Sequence, residues 1–170
     1  GARMDIETFV QRYYLERILR AANRRFLDMT RNQFELRMYD AQKAGEGKNH
    51  GLDLMVYSTV TGKEREARTL SGGESFMAAL SLALGMADQI QESSSSLNLD
   101  VMFIDEGFGT LSGEPLLNAI NTLESLHETN NRQVCAISHR EEVKERIPVQ
   151  IQVNQNPQSS SSTIDIVPHV

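Results

Sequence analysis

The sequence predicts an α/β domain with a largely parallel core sheet, and three observations carry that prediction. Strand-like and helix-like apolar periodicities alternate along the chain from residue 33 to residue 153. Two short continuous apolar runs, Val101 to Ile104 and Val134 to Ile137, are bounded by polar residues, the pattern of strands buried on both faces. From Gly72 to about Gln91 the apolar residues follow 3.6-residue spacing without interruption, as in a helix buried on most sides.

The elements follow in order. Gly1-Ala2-Arg3 reads as an expression-vector remnant. Asp5 to roughly Asp28 is a helix, with Phe9, Tyr13, Ile18, Leu19, Ala22 and Phe26 apolar and no Gly or Pro between them. Gln33 to Tyr39 alternates as a half-buried strand, and Leu52 to Tyr57 pairs with it in type. Between them, Ala44 to Gly51 is a loop by composition, and His50 within it has no ligand signature. Thr61-Gly62 opens a turn or loop leading to Thr69, with no strand expected there. After the helix from Gly72, Ser93 to Ser96 is a loop and Asp100 to Asp105 a buried strand. Glu114 to about Glu128 is a helix, Gln133 to Ser138 a second buried strand with Cys135 as a small core residue, and Glu141 to Arg146 a short helix before Pro148. Val149 to Val153 alternates cleanly as a half-exposed strand. The serines at 159–162 make a turn before a last strand, Thr163 to Val167.

Composition excludes several classes. A hydrophobic share of 39% with 24% charged residues is that of a globular protein rather than a disordered one. No apolar run approaches the roughly 18 residues of a membrane span, so no membrane partner is expected. The single cysteine excludes an internal disulfide framework and a multi-cysteine zinc site, and it points to a reducing, cytoplasmic compartment. A net charge of −6 does not advertise a nucleic-acid binder, although residues 1–37 hold eight arginines against five acids. That segment is either a solvated helix face or a surface for DNA phosphates, and the first is the more economical reading.

Three stretches carry chemistry. In Thr69-Leu-Ser-Gly-Gly-Glu-Ser-Phe76, Ser71 and Glu74 have the spacing of a capping box. Two glycines in a first helical turn cost about 1 kcal/mol each relative to alanine, so something must offset them. Without Cβ atoms, Gly72 and Gly73 would let an anion approach the N–H groups at the positive helix end. In Val101-Met-Phe-Ile-Asp-Glu-Gly107, two acids end a strand, where ligands bind in open α/β sheets. There an aspartate can hold Mg2+ and a glutamate can orient an attacking water, or both can be solvated acids. In Ala136-Ile-Ser-His139, a strand-end histidine can contact a phosphate or merely cap a helix.

The order of these stretches, each about thirty residues from the next, resembles that of the ATP-binding-cassette ATPases. LSGGE resembles their signature motif, VMFIDE their Walker B strand and SH their switch histidine. The wording of LSGGESFMAALSLALGMAD, FIDEGFGTL and SHREEVKERIPVQIQV is similar to the SbcC family, the SMC-like ATPase branch of the SbcCD nuclease. The resemblance covers about Gln33 to Val153. It implies that Ser71, Gly72, Gly73 and Glu74 form the signature, serving ATP bound by an opposing head. It implies further that Asp105 binds Mg2+, Glu106 is the general base and His139 senses the γ-phosphate. Phe108 to Glu114 would be the D-loop, centred on Thr110, Leu111 and Ser112. Ser112 stands where the family's common pattern has aspartate.

The chain has no G-x-x-x-x-G-K-[ST] run: Gly47-Lys48 and Gly62-Lys63 lack the upstream glycine and the following hydroxyl residue. The resemblance places that loop in an N-terminal Walker A lobe beyond a long coiled coil. The expectation is therefore residues 1–30 as the end of the coil and residues 31–170 as the C-terminal lobe of an ABC-type P-loop NTPase head. The implied cofactors are ATP and Mg2+. The implied partners are the N-terminal lobe, a second identical head in an ATP-dependent dimer, an SbcD-type nuclease and double-stranded DNA ends at the nucleoid. Alone, the chain is expected to be inactive. The alternatives are another SMC-like chromosome-organising or recombination ATPase, and a non-catalytic ATP-dependent dimerisation module, against which Glu106 argues.

Overall fold

A computed structural model describes residues 5–40, 52–94, 99–130, 132–156, 158–159 and 161–168. The loop predicted over Ala44 to Gly51, with His50 and Gly47-Lys48, lies outside the described residues. So do the start of the chain and parts of the two serine-rich segments.

Helix α1 (Ile6–Met29) begins at Asp5, whose carboxylate accepts from Thr8 N–H at 2.7 Å. That side chain satisfies one of the helix's free N-terminal donors. The helix is amphipathic only toward its end: Leu19, Ala22, Phe26 and Met29 are buried, while Ile6, Phe9, Val10, Tyr13 and Tyr14 are exposed. Phe9 and Tyr13, apolar positions of the predicted helix, are thus not covered by the described residues. The turn after α1 places Arg31 and Asn32 in the left-handed region.

Strands β1 (Phe34–Met38), β2 (Leu54–Ser58) and β3 (Glu64–Glu66) form an antiparallel sheet in chain order. Leu36 and Val56 face each other across β1–β2 and are both buried. On the other edge of β1, Asn23 of α1 accepts from Leu36 N–H and donates to Leu36 C=O, each at 2.8 Å. One side-chain amide thereby completes a strand edge that would otherwise stay open to pairing.

Helix α2 (Gly72–Ser93) lies along α1. At Gly85 the helices meet so closely that a Cβ would stand 2.7 Å from the Ile18 carbonyl oxygen and 2.8 Å from Ala22 N. Met77, Ala78, Leu80, Leu84 and Ala87 are buried, but Ala83, Met86 and Ile90 are exposed. The helix is therefore covered on one side, not on most.

Strands β4 (Val101–Asp105) and β5 (Gln133–Ile137) pair in parallel, joined through helix α3 (Glu114–Asn130). Among the described residues the parallel sheet with flanking helices is present, two strands wide, and both other sheets are antiparallel. Burial on both faces is corrected. Met102, Ile104, Val134 and Ala136 pack on the core, whereas Val101, Phe103, Cys135 and Ile137 point away from it, and Phe103 is 74% exposed. Continuous apolar runs do indicate two covered faces, but the described residues supply only one of the covers. Cys135 is accordingly an exposed thiol and not a core residue. Helix α4 (Glu141–Lys144) follows, and β6 (Val149–Gln155) pairs with β7 (Ser162–Pro168) as an antiparallel hairpin. Its register puts Ile151 opposite Ile166 and Val153 opposite Ile164, and all four are exposed.

Where α2 ends, Arg132 is 1% exposed between helix and sheet. It donates to Gln91 Oε1 at 2.5 Å and to the Leu99 carbonyl at 3.1 Å, and lies 3.5 Å from Asp88. Asp88 also takes Arg25 of α1 at 2.7 Å, so one carboxylate links both helices to the start of β5. Asp88→Ala should destabilise the chain by about 3 kcal/mol, because it leaves a buried guanidinium without its counter-charge. Adding Arg132→Met should recover most of that loss. Urea unfolding followed by circular dichroism checks both.

Candidate functional site

The predicted capping box is built. Glu74 N–H donates to Ser71 Oγ at 3.3 Å, and Ser71 N–H donates to Glu74 Oε2 at 2.8 Å. Arg65 of β3 braces the same turn from outside, donating to Glu74 Oε2 at 3.4 Å and to the Thr69 carbonyl at 2.9 Å. Glu74 is therefore held by the turn it closes. The N–H groups of Gly72 and Gly73, the first two of the helix, have no acceptor within it.

The two glycines have different reasons. A Cβ on Gly73 would lie 3.0 Å from the Leu111 side chain and 3.1 Å from the Thr110 carbonyl oxygen, so internal packing already favours glycine there. A Cβ on Gly72 would make ordinary contacts of 3.5 and 3.6 Å with Thr110. Of the two, only Gly72 keeps its absent side chain unexplained by the chain's own packing.

Across from this turn, β4 runs into Asp105 and then into two residues in the left-handed region, Glu106 at φ 57° and Gly107 at φ 93°. Such a φ on a glutamate costs about 1–2 kcal/mol, so the surroundings must hold it. Glu106 N–H donates to the Ile137 carbonyl at 3.1 Å, extending the β4–β5 ladder by one bond. Thr110 N–H and Oγ1 both donate to the Gly107 carbonyl, at 3.3 and 2.8 Å. Over Gly107 lies the ring of Phe76, where a Cβ would come within 2.2 Å of the ring. Phe76 in turn meets the buried Phe108 edge to face, with centroids 5.1 Å apart.

Parallel pairing sets Asp105 beside Ile137. The residues just beyond the two strand ends therefore meet, and His139 Nδ1 lies 3.3 Å from Glu106 Oε1. Both side chains are exposed. The next residue, Arg140, forks onto Glu142 at 2.8 and 3.2 Å, and these hydrogen bonds hold the Glu142 carboxyl below its ordinary range. Of the predicted D-loop residues, Thr110 and Ser112 are exposed while Leu111 is buried against the core. Asp105 is exposed at the strand end. Among the described residues no three His, Cys, Asp or Glu side chains gather to hold a metal by themselves. A Mg2+ ion needs no such cage, since it keeps several waters and takes one or two carboxylates with substrate phosphates. Asp105 fits that requirement.

Sequence reading brought Ser71, Glu106 and His139 forward but missed Arg65 and the Phe76–Gly107 contact. Phe76 was readable only as one more apolar residue on a helix, because nothing in its spacing names the turn it covers. Several arginines of the arginine-rich start are in ion pairs within the chain. Arg17 pairs with Glu92, Arg20 with Glu16, Arg25 with Asp88 and Arg31 with Glu114.

The family described as SbcC/RAD50-like, Walker B motif, matches residues 24–125. The SbcC component of the SbcCD nuclease of Lactococcus lactis is 41% identical over 97% of this chain, and that of Vibrio cholerae 44% over 90%. The chain spans only 16% and 15% of those proteins. Among solved structures, a chain described under ATP-driven dimerization and DNA stimulated activation of SMC ATPases has a TM-score of 0.68 at 15% identity. The match covers 94% of this chain and 89% of that one. The Smc head domain with an extended coiled coil from Pyrococcus furiosus has a TM-score of 0.66 at 16% identity, over 95% and 37%. The fold is thus that of an SMC-type head.

Gly107→Ala should destabilise the chain by about 2 kcal/mol, through left-handed strain and displacement of the Phe76 ring. The loss should be smaller in a Phe76→Ala background, and a double-mutant cycle by urea unfolding measures the coupling.

Proposed function

The chain belongs to the SbcC/RAD50-like Walker B family, and from that premise we propose that it is the C-terminal lobe of an ATP-hydrolysing head in an SbcC-type DNA-end-processing complex. The observation that supports this most is the meeting of Glu106 and His139 just beyond two parallel strand ends. In the proposed reaction Glu106 orients a water in line with the γ-phosphorus of ATP. The new oxygen–phosphorus bond forms as the bond to the β–γ bridging oxygen breaks, ADP leaves, and the water proton passes to the Glu106 carboxylate. His139 steadies that carboxylate and reaches toward the γ-phosphate. Asp105 is the ligand for Mg2+, which when bound neutralises phosphate charge. Ser71 Oγ and the free N–H groups of Gly72 and Gly73 receive the γ-phosphate of ATP held by a second, identical head, while Glu74 keeps the turn in shape. Thr110 and Ser112 face that second head.

The apolar faces that the described residues leave bare support a covering lobe. A two-stranded hairpin is marginal by itself, and β6–β7 exposes Val149, Ile151, Val153, Ile164 and Ile166 on one face. The N-terminal Walker A lobe of the same protein covers this face and the bare side of β4–β5. Residues 1–30 are the end of a coiled coil, with Ile6, Phe9 and Tyr13 turned toward the coil's other helix, and residues 31–170 are the ATPase lobe. The head regulates an SbcD-type nuclease acting on double-stranded DNA ends, in the cytoplasm at the nucleoid. Among the described residues no helix is long and apolar enough to cross a membrane.

In the full-length chain with both lobes, Glu106→Gln should trap ATP-bound dimers and lower turnover by at least a hundredfold. Undiminished phosphate release would remove Glu106 as the base. Ser71→Arg should leave ATP binding intact but abolish ATP-dependent head pairing, as read by size-exclusion chromatography with light scattering.

A further inference from the structure

The turn that carries Glu106 is held from three directions. The Ile137 carbonyl fixes its front through Glu106 N–H, and Thr110 fixes its back through the Gly107 carbonyl. The third hold comes from α2: the Phe76 ring occupies the space a side chain on Gly107 would fill. Phe76 lies little more than one helical turn beyond Ser71. The ring packs edge to face on Phe108, which is 1% exposed. Nearer the helix start, Gly73 leaves so little room that a Cβ would stand 3.0 Å from Leu111 and 3.1 Å from the Thr110 carbonyl oxygen, which packs the first turn of α2 closely against the segment after Glu106.

We propose that Phe76 is a positioning residue whose ring, seated over Gly107, sets the Glu106 carboxylate and couples it to the first turn of α2 in the same head. The inference rests on the reading of Glu106 as base and of Ser71 to Gly73 as a site used by a second head. In a dimer of heads, the α2 turn of one head then serves one ATP while Glu106 of that head serves the other. Phe76 is therefore a mechanical link between the two sites. Engagement of a γ-phosphate at the α2 start is transmitted through the ring to the base of the neighbouring site.

Mixed dimers of full-length chains, purified by two different tags, separate this link from a general defect. In the first arrangement one head carries Phe76→Ala and the other Glu106→Gln, so the surviving base sits beside the altered ring. In the second, both substitutions share one head, so the surviving base sits in the unaltered head but uses the altered head's α2 turn. Each is compared with a dimer carrying Glu106→Gln alone. Phe76→Ala should lower kcat at least tenfold in the first arrangement with KM within twofold. That loss should be at least fivefold larger than in the second arrangement. Equal losses in both, or a larger loss in the second, would overturn the inference by making Phe76 a support of the α2 turn alone. If Phe76→Ala does not assemble, Phe76→Leu is read in the same two arrangements by the same ratio. A homodimer of Glu106→Gln that turns over normally would instead sink the underlying assignment of the base.

Discussion

The crossing of α1 and α2 at Gly85 is the contact on which the placement of everything else depends. With no Cβ at that position, the Ile18 carbonyl and the Ala22 backbone come within contact of the α2 axis. An alanine there gains about 1 kcal/mol of helix propensity but meets main-chain atoms that cannot step aside, so packing overrides propensity. The crossing aligns Asp88 with Arg25 and Arg132, and this cross-brace ties the helix pair to the start of β5. It also sends the start of α2 toward the end of β4.

That second end is where structure and chemistry meet. A capped helix start, a strand ending in two acids and a strand ending in histidine are separate features along the chain. They become one assembly because Gly73 admits Thr110 and Leu111, and Gly107 admits Phe76. The left-handed backbone at Glu106 is sustained by this packing and by the bond to Ile137. Strain of about 1–2 kcal/mol is thus localised on the residue proposed as the base, as is common where a side chain must be aimed rather than merely exposed.

The surfaces the chain leaves bare are equally informative. Phe103 and Ile137 on the parallel pair, and the isoleucines and valines of the hairpin, form apolar faces on sheets only two strands wide. Sheets of that width and composition are not expected to stand alone. They agree with a chain that spans about one sixth of its curated relatives. The same holds at the start of α1, where the apolar stripe continues past the last residue that this chain can bury.

The sequence by itself determined the α/β class, the bounds of most helices and strands to within a few residues, and the identity of Ser71, Asp105, Glu106 and His139 as candidates. These are local properties: periodicity, capping chemistry and residue type at a strand end. It also read the capping box correctly, because both of its hydrogen bonds lie within four residues. Only the tertiary structure decided that Gly73 packs closely against Thr110 and Leu111, that the apolar strand runs are covered on one side, that Cys135 is exposed and that Arg17, Arg20 and Arg25 of α1 are paired. Only it showed Phe76 resting on Gly107. Each of these depends on which distant segment arrives at a given face, and a pattern of residue types records that a face is apolar without recording what comes to cover it.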